Sequence, residues 1–218
     1  MRLLITAGPT CVPIDSVRVI TNLASGRTGF AIASLAWALG HPTTLLISRQ
    51  PDGCQPLPGC RVHTFSTPEE LAALLSGCIQ SEAPDVIVHS AAVSDFRVGK
   101  ITNAKGKTVE AAKLDSGDAP FQLELLPAPK LLDSIRRDWG FRGLLVGFKL
   151  ESGLDTQALV REAESTRLRT GADFMVANHQ HTAGEEAFIG PGPDSRYQRV
   201  ERSQLPKALL SLLESRVG

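Results

Sequence analysis

The sequence predicts an α/β fold: a doubly wound, mostly parallel sheet with helices on both faces and an inserted arm. Three observations predict it. Short apolar runs alternate with amphipathic helical stretches, the pattern of strands buried on both faces. A Ser25-Gly26-Arg27-Thr28-Gly29 turn precedes the first helical stretch, where such folds bind anions. The residues that could carry chemistry collect in segments 8–29, 90–113, 148–152 and 177–181, which all leave the carboxyl ends of expected strands.

The elements follow in order. Residues 2–7 read as a buried strand that ends at Gly8-Pro9. A helix is expected from about 28 to 40, with Phe30, Ala33, Ala36 and Trp37 on one face and Gly40 as its stop. Strands follow at 43–48 and 61–65. Thr67 caps a helix to about Ser81, with Glu69 and Glu70 in its first turn, where negative charge is favoured. The next strand, 85–89, ends in Ser90-Ala91-Ala92. The alternation then breaks: residues 95–127 are polar and rich in Gly and Lys, with one short strand expected at 121–125. A helix at 129–138, a strand at 143–149, a helix at 155–169 and a strand at 172–177 resume the pattern. A hairpin around 186–200 and a helix from Ser203 close the chain.

The 218 residues suit a single α/β domain, 1–218, with the arm at about 95–127 as an excursion from it. Lys plus Arg and Asp plus Glu both number 23, so the net charge is zero. That balance argues against bulk nucleic-acid or membrane-surface binding but leaves local anion sites open. The N-terminus runs straight into a strand without a signal-peptide pattern, and no stretch of about 20 apolar residues exists to span a membrane. A cytoplasmic location is the expectation. Cys11, Cys54, Cys60 and Cys78 form no Cys-x-x-Cys pair and no histidine cluster accompanies them, so they read as reduced thiols and not as a zinc site.

Four groups of residues could carry chemistry. The Ser25–Gly29 turn leaves backbone N–H groups at a helix N-terminus, and Asn22 just before it can both donate and accept. It is not a dinucleotide fingerprint, because Gly26 lies far beyond Gly8 instead of in a tight turn after the strand. The long connection also holds Asp15 and Arg18, and long loops in compact domains are often functional. In Ser90-Ala91-Ala92-Val93-Ser94-Asp95-Phe96, small residues would let a flat ligand approach, while Asp95 could hold a ribose, a metal or merely a turn. Lys113 is either a movable charge for phosphates or a solvated lysine beyond the run Lys100, Lys105, Lys107. In Gly147-Phe148-Lys149-Leu150-Glu151, Phe148 could stack on a base or finish the core, and Lys149 with Glu151 reads as a weak surface pair.

Together these motifs resemble the phosphopantothenoylcysteine synthetase family of coenzyme A biosynthesis. The likeness runs in family order over nearly the whole chain. It takes in residues 5–10, 13–18 and 20–22, then 25–29, 91–96 and 113–114. It goes on through Pro129-Lys130-Leu131-Leu132, 147–151 and Ala177-Asn178. The resemblance implies a Rossmann-like domain, a homodimer formed partly through the arm after Asp95, and a ligase acting on 4′-phosphopantothenate, L-cysteine and a nucleoside triphosphate. CTP is favoured over ATP, Mg²⁺ accompanies the triphosphate, and no flavin is expected in this stand-alone form without the fused decarboxylase domain.

The resemblance also implies roles. Asn22 would bind the reacting carboxyl group. Ser25, Gly26 and Gly29 would hold the substrate phosphate or an adjacent anion. His89, Ser90 and Ala91 would present backbone to the nucleotide, and Asp95 would contact it or a metal. Lys113 would serve both the phosphates and the charge that develops during amide formation. Residues Pro129, Lys130, Leu131, Leu132 and Phe148 would line the nucleotide site, and the arm would close on substrate. Three positions depart from many bacterial members: Lys149-Leu150-Glu151 replaces Ala-Ala-Glu, the following helix carries Arg161, Arg167 and Arg169 instead of two lysines, and His179 stands where many have Asp. A short-chain reductase is disfavoured because the single tyrosine, Tyr197, is followed at the required spacing by Glu201. A non-catalytic nucleotide-binding module of the same fold is the other alternative.

Overall fold

The computed structural model describes residues 1–55, 57–109, 113–118, 120–182, 184–192 and 194–217. Parts of the expected arm, residues 110–112 and 119, lie outside the described residues.

Six strands form the parallel part of the main sheet: β1 (Leu3–Ala7), β4 (Thr43–Ile47), β5 (Arg61–Thr64), β6 (Val86–His89), β9 (Leu144–Glu151) and β10 (Phe174–His179). Their spatial order is β5-β4-β1-β6-β9-β10. Counted along the chain, that is the 3-2-1-4-5-6 order of the Rossmann fold, with its switch point between β1 and β6. The antiparallel strands β11 (Glu186–Gly190) and β12 (Gln198–Glu201) extend the sheet beyond β10 to eight strands.

The strands β1, β4, β6 and β10 are buried on both faces, and their side chains alternate between two cores, whereas β5 and β12 at the sheet edges are largely exposed. Leu3, Ile5 and Ala7 point to one, Leu4 to the other. The first core is closed by α1 (Arg27–Ala38), through Phe30, Ile32, Ala33 and Ala36, and by α5 (Leu205–Val217), through Leu205, Leu209, Leu210 and Leu213. The second is closed by α2 (Pro68–Glu82), α3 (Leu131–Arg137) and α4 (Thr156–Thr170), through Leu71, Leu75, Leu131, Ile135, Leu159 and Ala163. Trp37 corrects the expected α1 face: it is 38% exposed, because the buried face runs through Gly29, Ile32, Ala33 and Ala36 and leaves the neighbouring Trp37 at its edge.

Thr67 starts α2 as expected, in a reciprocal capping box. Its Oγ1 accepts the Glu70 N–H, and Glu70 Oε2 accepts the Thr67 N–H. Two short sheets were not expected. β2 (Cys11–Pro13) pairs with β3 (Val19–Thr21) inside the long loop, and β7 (Phe96–Thr102) pairs with β8 (Gln122–Pro127) in the arm. Of these four strands the sequence predicts one, at 121–125, where β8 lies. Among the described residues, no helix is long and apolar enough to cross a membrane.

Candidate active site

The site forms where the chain leaves β1 and β6, on either side of the switch point. The two exits are tied together by backbone bonds: Ala92 N–H donates to Gly8 O at 2.9 Å, and Thr10 N–H donates to Ala92 O at 3.1 Å. Two buried threonines complete the tie. Thr6 Oγ1 accepts the Ala91 N–H at 3.1 Å and Thr10 Oγ1 accepts the Ser94 N–H at 3.0 Å. The hydroxyl of Ser90 donates to Thr6 O at 2.6 Å. The small residues at 90–92 therefore open space, but the amides of Ala91 and Ala92 are already used. This refines the expectation for His89, Ser90 and Ala91: what Ala91 offers a ligand is a small side chain and room, not a free N–H.

His89, the last residue of β6, is buried, with Nδ1 3.0 Å from Thr6 Oγ1. Thr6 Oγ1, which already accepts the Ala91 N–H, shares one hydrogen bond with His89 Nδ1, and the ring tautomer decides which of the two donates. Burial pulls the His89 pKa down to about 4, so the ring is neutral at pH 7. Asn22 follows β3 and its Nδ2 donates to Ala92 O at 3.0 Å. One amide hydrogen and the Oδ1 lone pairs are left for a ligand.

Two adjoining cavities of ≈ 630 Å³ each open over this crossing. The first is lined by Asn22, His89, Ala91 to Asp95, Lys130 to Asp133, Phe148 and Lys149 among others. Its cations all have carboxylate neighbours: Lys130 is 3.7 Å from Asp95, Lys149 is 2.7 Å from Glu151, and Arg169 pairs with Asp133. The Lys149–Glu151 pair is the one expected from sequence. The second cavity is lined by Gly8, the Ser25–Gly29 turn, Ser90, Asn178 and Arg202. Phe148 packs against the first core, as the core reading expects, and the same side chain borders both cavities.

The glycine turn does two jobs. Gly26 caps α1 with a φ of 74°, and a Cβ there would approach Gly8 N to 3.1 Å. The N-cap Gly26 supplies no side chain and no acid stands in the first turn; Ser25 Oγ accepts the Arg27 N–H at 3.4 Å, and the N–H groups of Thr28 and Gly29 are left for an anion. Gly29 has another reason to be glycine. A Cβ on it would lie 2.5 Å from Ser90 Oγ, 2.7 Å from Ala7 Cβ and 2.8 Å from Thr6 O. Close helix–strand packing fixes this residue, whatever binds beside it.

Two expected residues are not brought to the cavities. Pro129 borders neither, unlike its neighbours Lys130, Leu131 and Leu132. Lys113 is exposed and lines neither. The next residue, Leu114, is buried and docked on the long loop: its N–H donates to Asp15 Oδ2 at 3.0 Å, and Arg18 Nη1 donates to its carbonyl at 3.3 Å. Asp15 also accepts the N–H groups of Val17 and Arg18. The Leu114 and Val17 amides, with help from Arg18, hold its carboxyl down at about 2.

Away from these loops, the fold gathers His63, Cys78 and Glu82, with potential ligand atoms within 4.8 Å of one another. The oxygens of Glu82 are taken by Arg61 at 2.6 Å and Thr44 at 2.7 Å, and burial pushes the Cys78 thiol up to about 11. A cation there would have to displace Arg61 from Glu82. Sequence reasoning missed Arg202, which comes from the C-terminal end of the chain and had no motif to mark it.

The sheet order, the crossing at the switch point and the glycine-capped α1 N-terminus define a Rossmann-like α/β protein with its site at the carboxyl ends of the strands. The chain belongs to the family described as the DNA/pantothenate metabolism flavoprotein C-terminal domain, whose model matches residues 1–191. It is 33% identical over 217 residues to the coenzyme A biosynthesis bifunctional protein CoaBC of Thermococcus kodakarensis, an alignment that covers 98% of this chain and 51% of that protein. The chain thus spans about half the length of the curated relatives it matches. The solved DNA/pantothenate metabolism flavoprotein of Streptococcus pneumoniae superposes with a TM-score of 0.87 at 25% identity, over 99% of each chain. A Cab2 variant in complex with phosphopantothenate-cysteine shares the fold, with a TM-score of 0.77 at 18% identity over 99% of this chain and 87% of its own. The family read from the motifs is the family found.

Proposed function

We propose that this chain is a ligase of coenzyme A biosynthesis that joins 4′-phosphopantothenate to L-cysteine through an acyl-nucleotide. The observation that carries the reading is that Asn22, residues 89–95, the 25–29 turn and Phe148, separate in sequence, surround two adjoining cavities at one switch point. The curated relative named above is a coenzyme A biosynthesis protein, and a fold neighbour holds phosphopantothenate-cysteine, the product this reaction would make.

A carboxylate is a poor acyl donor. In the reaction, its oxygen attacks the α-phosphorus of the nucleoside triphosphate, the bond to pyrophosphate breaks and a mixed anhydride forms. The cysteine amine then attacks the acyl carbon, loses a proton and expels the nucleoside monophosphate. The protein's part is positioning and charge stabilisation. Asn22, fixed on Ala92 O, offers its remaining N–H to the reacting carboxyl group without adding charge. The 25–29 turn takes the substrate phosphate or an adjacent anion, and Asp95 and residues 130–132 bound the nucleotide. Lys113 enters with the arm, whose anchor at Leu114 places it beside the long loop, and the arm closes on substrate.

A divalent cation would be held in the first cavity by Asp95 together with the phosphates of the bound nucleotide. Asp95 is an exposed carboxylate whose lysine neighbour stands off at 3.7 Å, and Mg²⁺ is commonly held by one or two carboxylates together with substrate phosphates. When bound, Mg²⁺ would neutralise triphosphate charge. CTP is the favoured nucleotide and ATP the alternative. The protein acts as a homodimer, through apolar residues left exposed on the arm.

The test is pyrophosphate release by the purified protein with Mg²⁺ and 4′-phosphopantothenate, run with CTP and ATP in parallel, with and without cysteine. Release that needs 4′-phosphopantothenate, with amide and nucleoside monophosphate appearing on addition of cysteine, is the expected result and names the nucleotide. Nucleotide binding without release by the folded protein would make this a binding module and overturn the ligase.

A further inference from the structure

Arg202 opens the 3₁₀ turn Arg202–Gln204 after β12, beyond the residues that the family model matches. The fold carries it back across the molecule to the second cavity. Its Nη1 donates to Asn178 Oδ1 at 2.7 Å and its Nη2 donates to Thr28 Oγ1. Both acceptors are neutral, and among the described residues Arg202 forms no ion pair. The three basic residues named in the first cavity do each have a carboxylate neighbour.

A half-buried guanidinium without a counter-charge is unfavourable unless a ligand supplies the charge. Burial already pulls the Arg202 pKa below its ordinary value, as expected for a cation held away from water with no anion beside it. A guanidinium has five N–H donors, of which the two neutral contacts use two. Thr28 belongs to the first turn of α1, so Arg202 is tied to the same turn whose N-cap, Gly26, offers no side chain to the Thr28 and Gly29 N–H groups.

We propose that Arg202 is a binding residue for a phosphate group in the second cavity, held in place by Asn178 and Thr28. The proposal rests on the ligase reading for the identity of the ligand, a phosphate ester: either the 4′-phosphate of phosphopantothenate or the triphosphate of the nucleotide. It does not rest on that reading for the site itself, which is a cavity bordered by two guanidinium groups: Arg27, which reaches out to Asp52 O at 3.3 Å, and Arg202, which is tied to the α1 turn.

The experiment uses the full chain and the variants Arg202→Met and Arg202→Lys. Binding of pyrophosphate, 4′-phosphopantothenate, pantothenate, CTP and ATP is measured by calorimetry, and Tm is followed in parallel. The expected result is a tenfold or greater loss of affinity for pyrophosphate and for one of the two substrate classes in Arg202→Met. Arg202→Lys should fall between, since an ammonium cannot reproduce a forked contact. Pantothenate affinity and Tm without ligand should be unchanged. Which class weakens tells the two phosphate sources apart. Affinities within twofold of the parent for every phosphate compound in both variants would overturn the proposal. So would a fall in Tm with unchanged affinity, which would make Arg202 a structural tie. Pyrophosphate binding needs no turnover, so failure of the ligase assay with Arg202-dependent pyrophosphate binding intact would sink the function and leave the site standing.

Discussion

Asn22 is held by one hydrogen bond to Ala92 O, and that contact decides what a substitution does. Asn22→Asp keeps the shape, loses the donor and sets a negative charge beside the carboxylate the reading places there. Amide formation should fall by ~10²-fold or more, the scale of losing one transition-state donor. Near-parental turnover would remove Asn22 from the mechanism. Lys113→Gln should lose most of the rate while leaving Tm unchanged, because the side chain is exposed; an unaltered rate would leave Lys113 a surface lysine. Asp15 gives a pH prediction. Its carboxyl is held near 2 by the Leu114 and Val17 amides and by Arg18, against 3.8 unperturbed. A depressed carboxylate stabilises the fold fully above its unfolded pKa, and that stability is lost as pH falls through the folded value. The Leu114 amide resonance should therefore stay constant above about pH 4 and shift towards pH 2. A midpoint at the unperturbed 3.8 would show that the contact is not formed in solution.

At the scale of elements, α1 is placed by a glycine that has no room to be anything else. Gly29→Ala puts a methyl against the Thr6 backbone and the Ala7 side chain, so α1 must lift from β1 at a cost of about 1–3 kcal/mol. Chemical denaturation measures this, and an unchanged midpoint would mean that the helix shifts freely. The inner parallel strands were legible because burial on both faces writes a continuous apolar run. The helices were legible from period and caps, as in the Thr67–Glu70 box. β2, β3 and β7 were not. β3 is exposed throughout, and β7 includes Arg97, Gly99 and Lys100, so neither carries a run to read. Their pairing is decided by the partner strand. The apolar face of α1 was right except at Trp37, where period alone could not say which of two neighbouring positions meets the sheet.

At the scale of the molecule, the arm carries an apolar face that is exposed among the described residues. Val98 pairs with Leu125 and Phe96 with Pro127, so these four residues share one side of the two-stranded sheet. Phe96 and Leu125 are about half exposed. The arm also packs on β2, whose hairpin leaves Val17 and Val19 exposed, so the two apolar surfaces stand near each other. A second copy of the chain is the occupant proposed here. Sedimentation should give a dimer for the parent chain, and Leu125→Glu should shift it towards monomer by placing a charge in that face. A parent chain that sediments as a monomer at every concentration would remove the dimer.

By itself the sequence determined the fold class, the family, and most of the residues that meet at the switch point. Asn22, Ser25 to Gly29, His89 to Asp95 and Phe148 lie in local motifs whose residue types are dictated by strand exits and a helix start, and such signals survive in one dimension. Only the tertiary structure decided that Gly29 answers to packing, that the Ala91 amide is already bonded, and that Lys113 and Pro129 lie off the cavities. It alone brought Arg202, at the far end of the chain, to the first turn of α1. The reason is physical: a motif records what one segment needs locally, whereas hydrogen-bond partners and uncompensated charge are properties of segments brought together by the sheet.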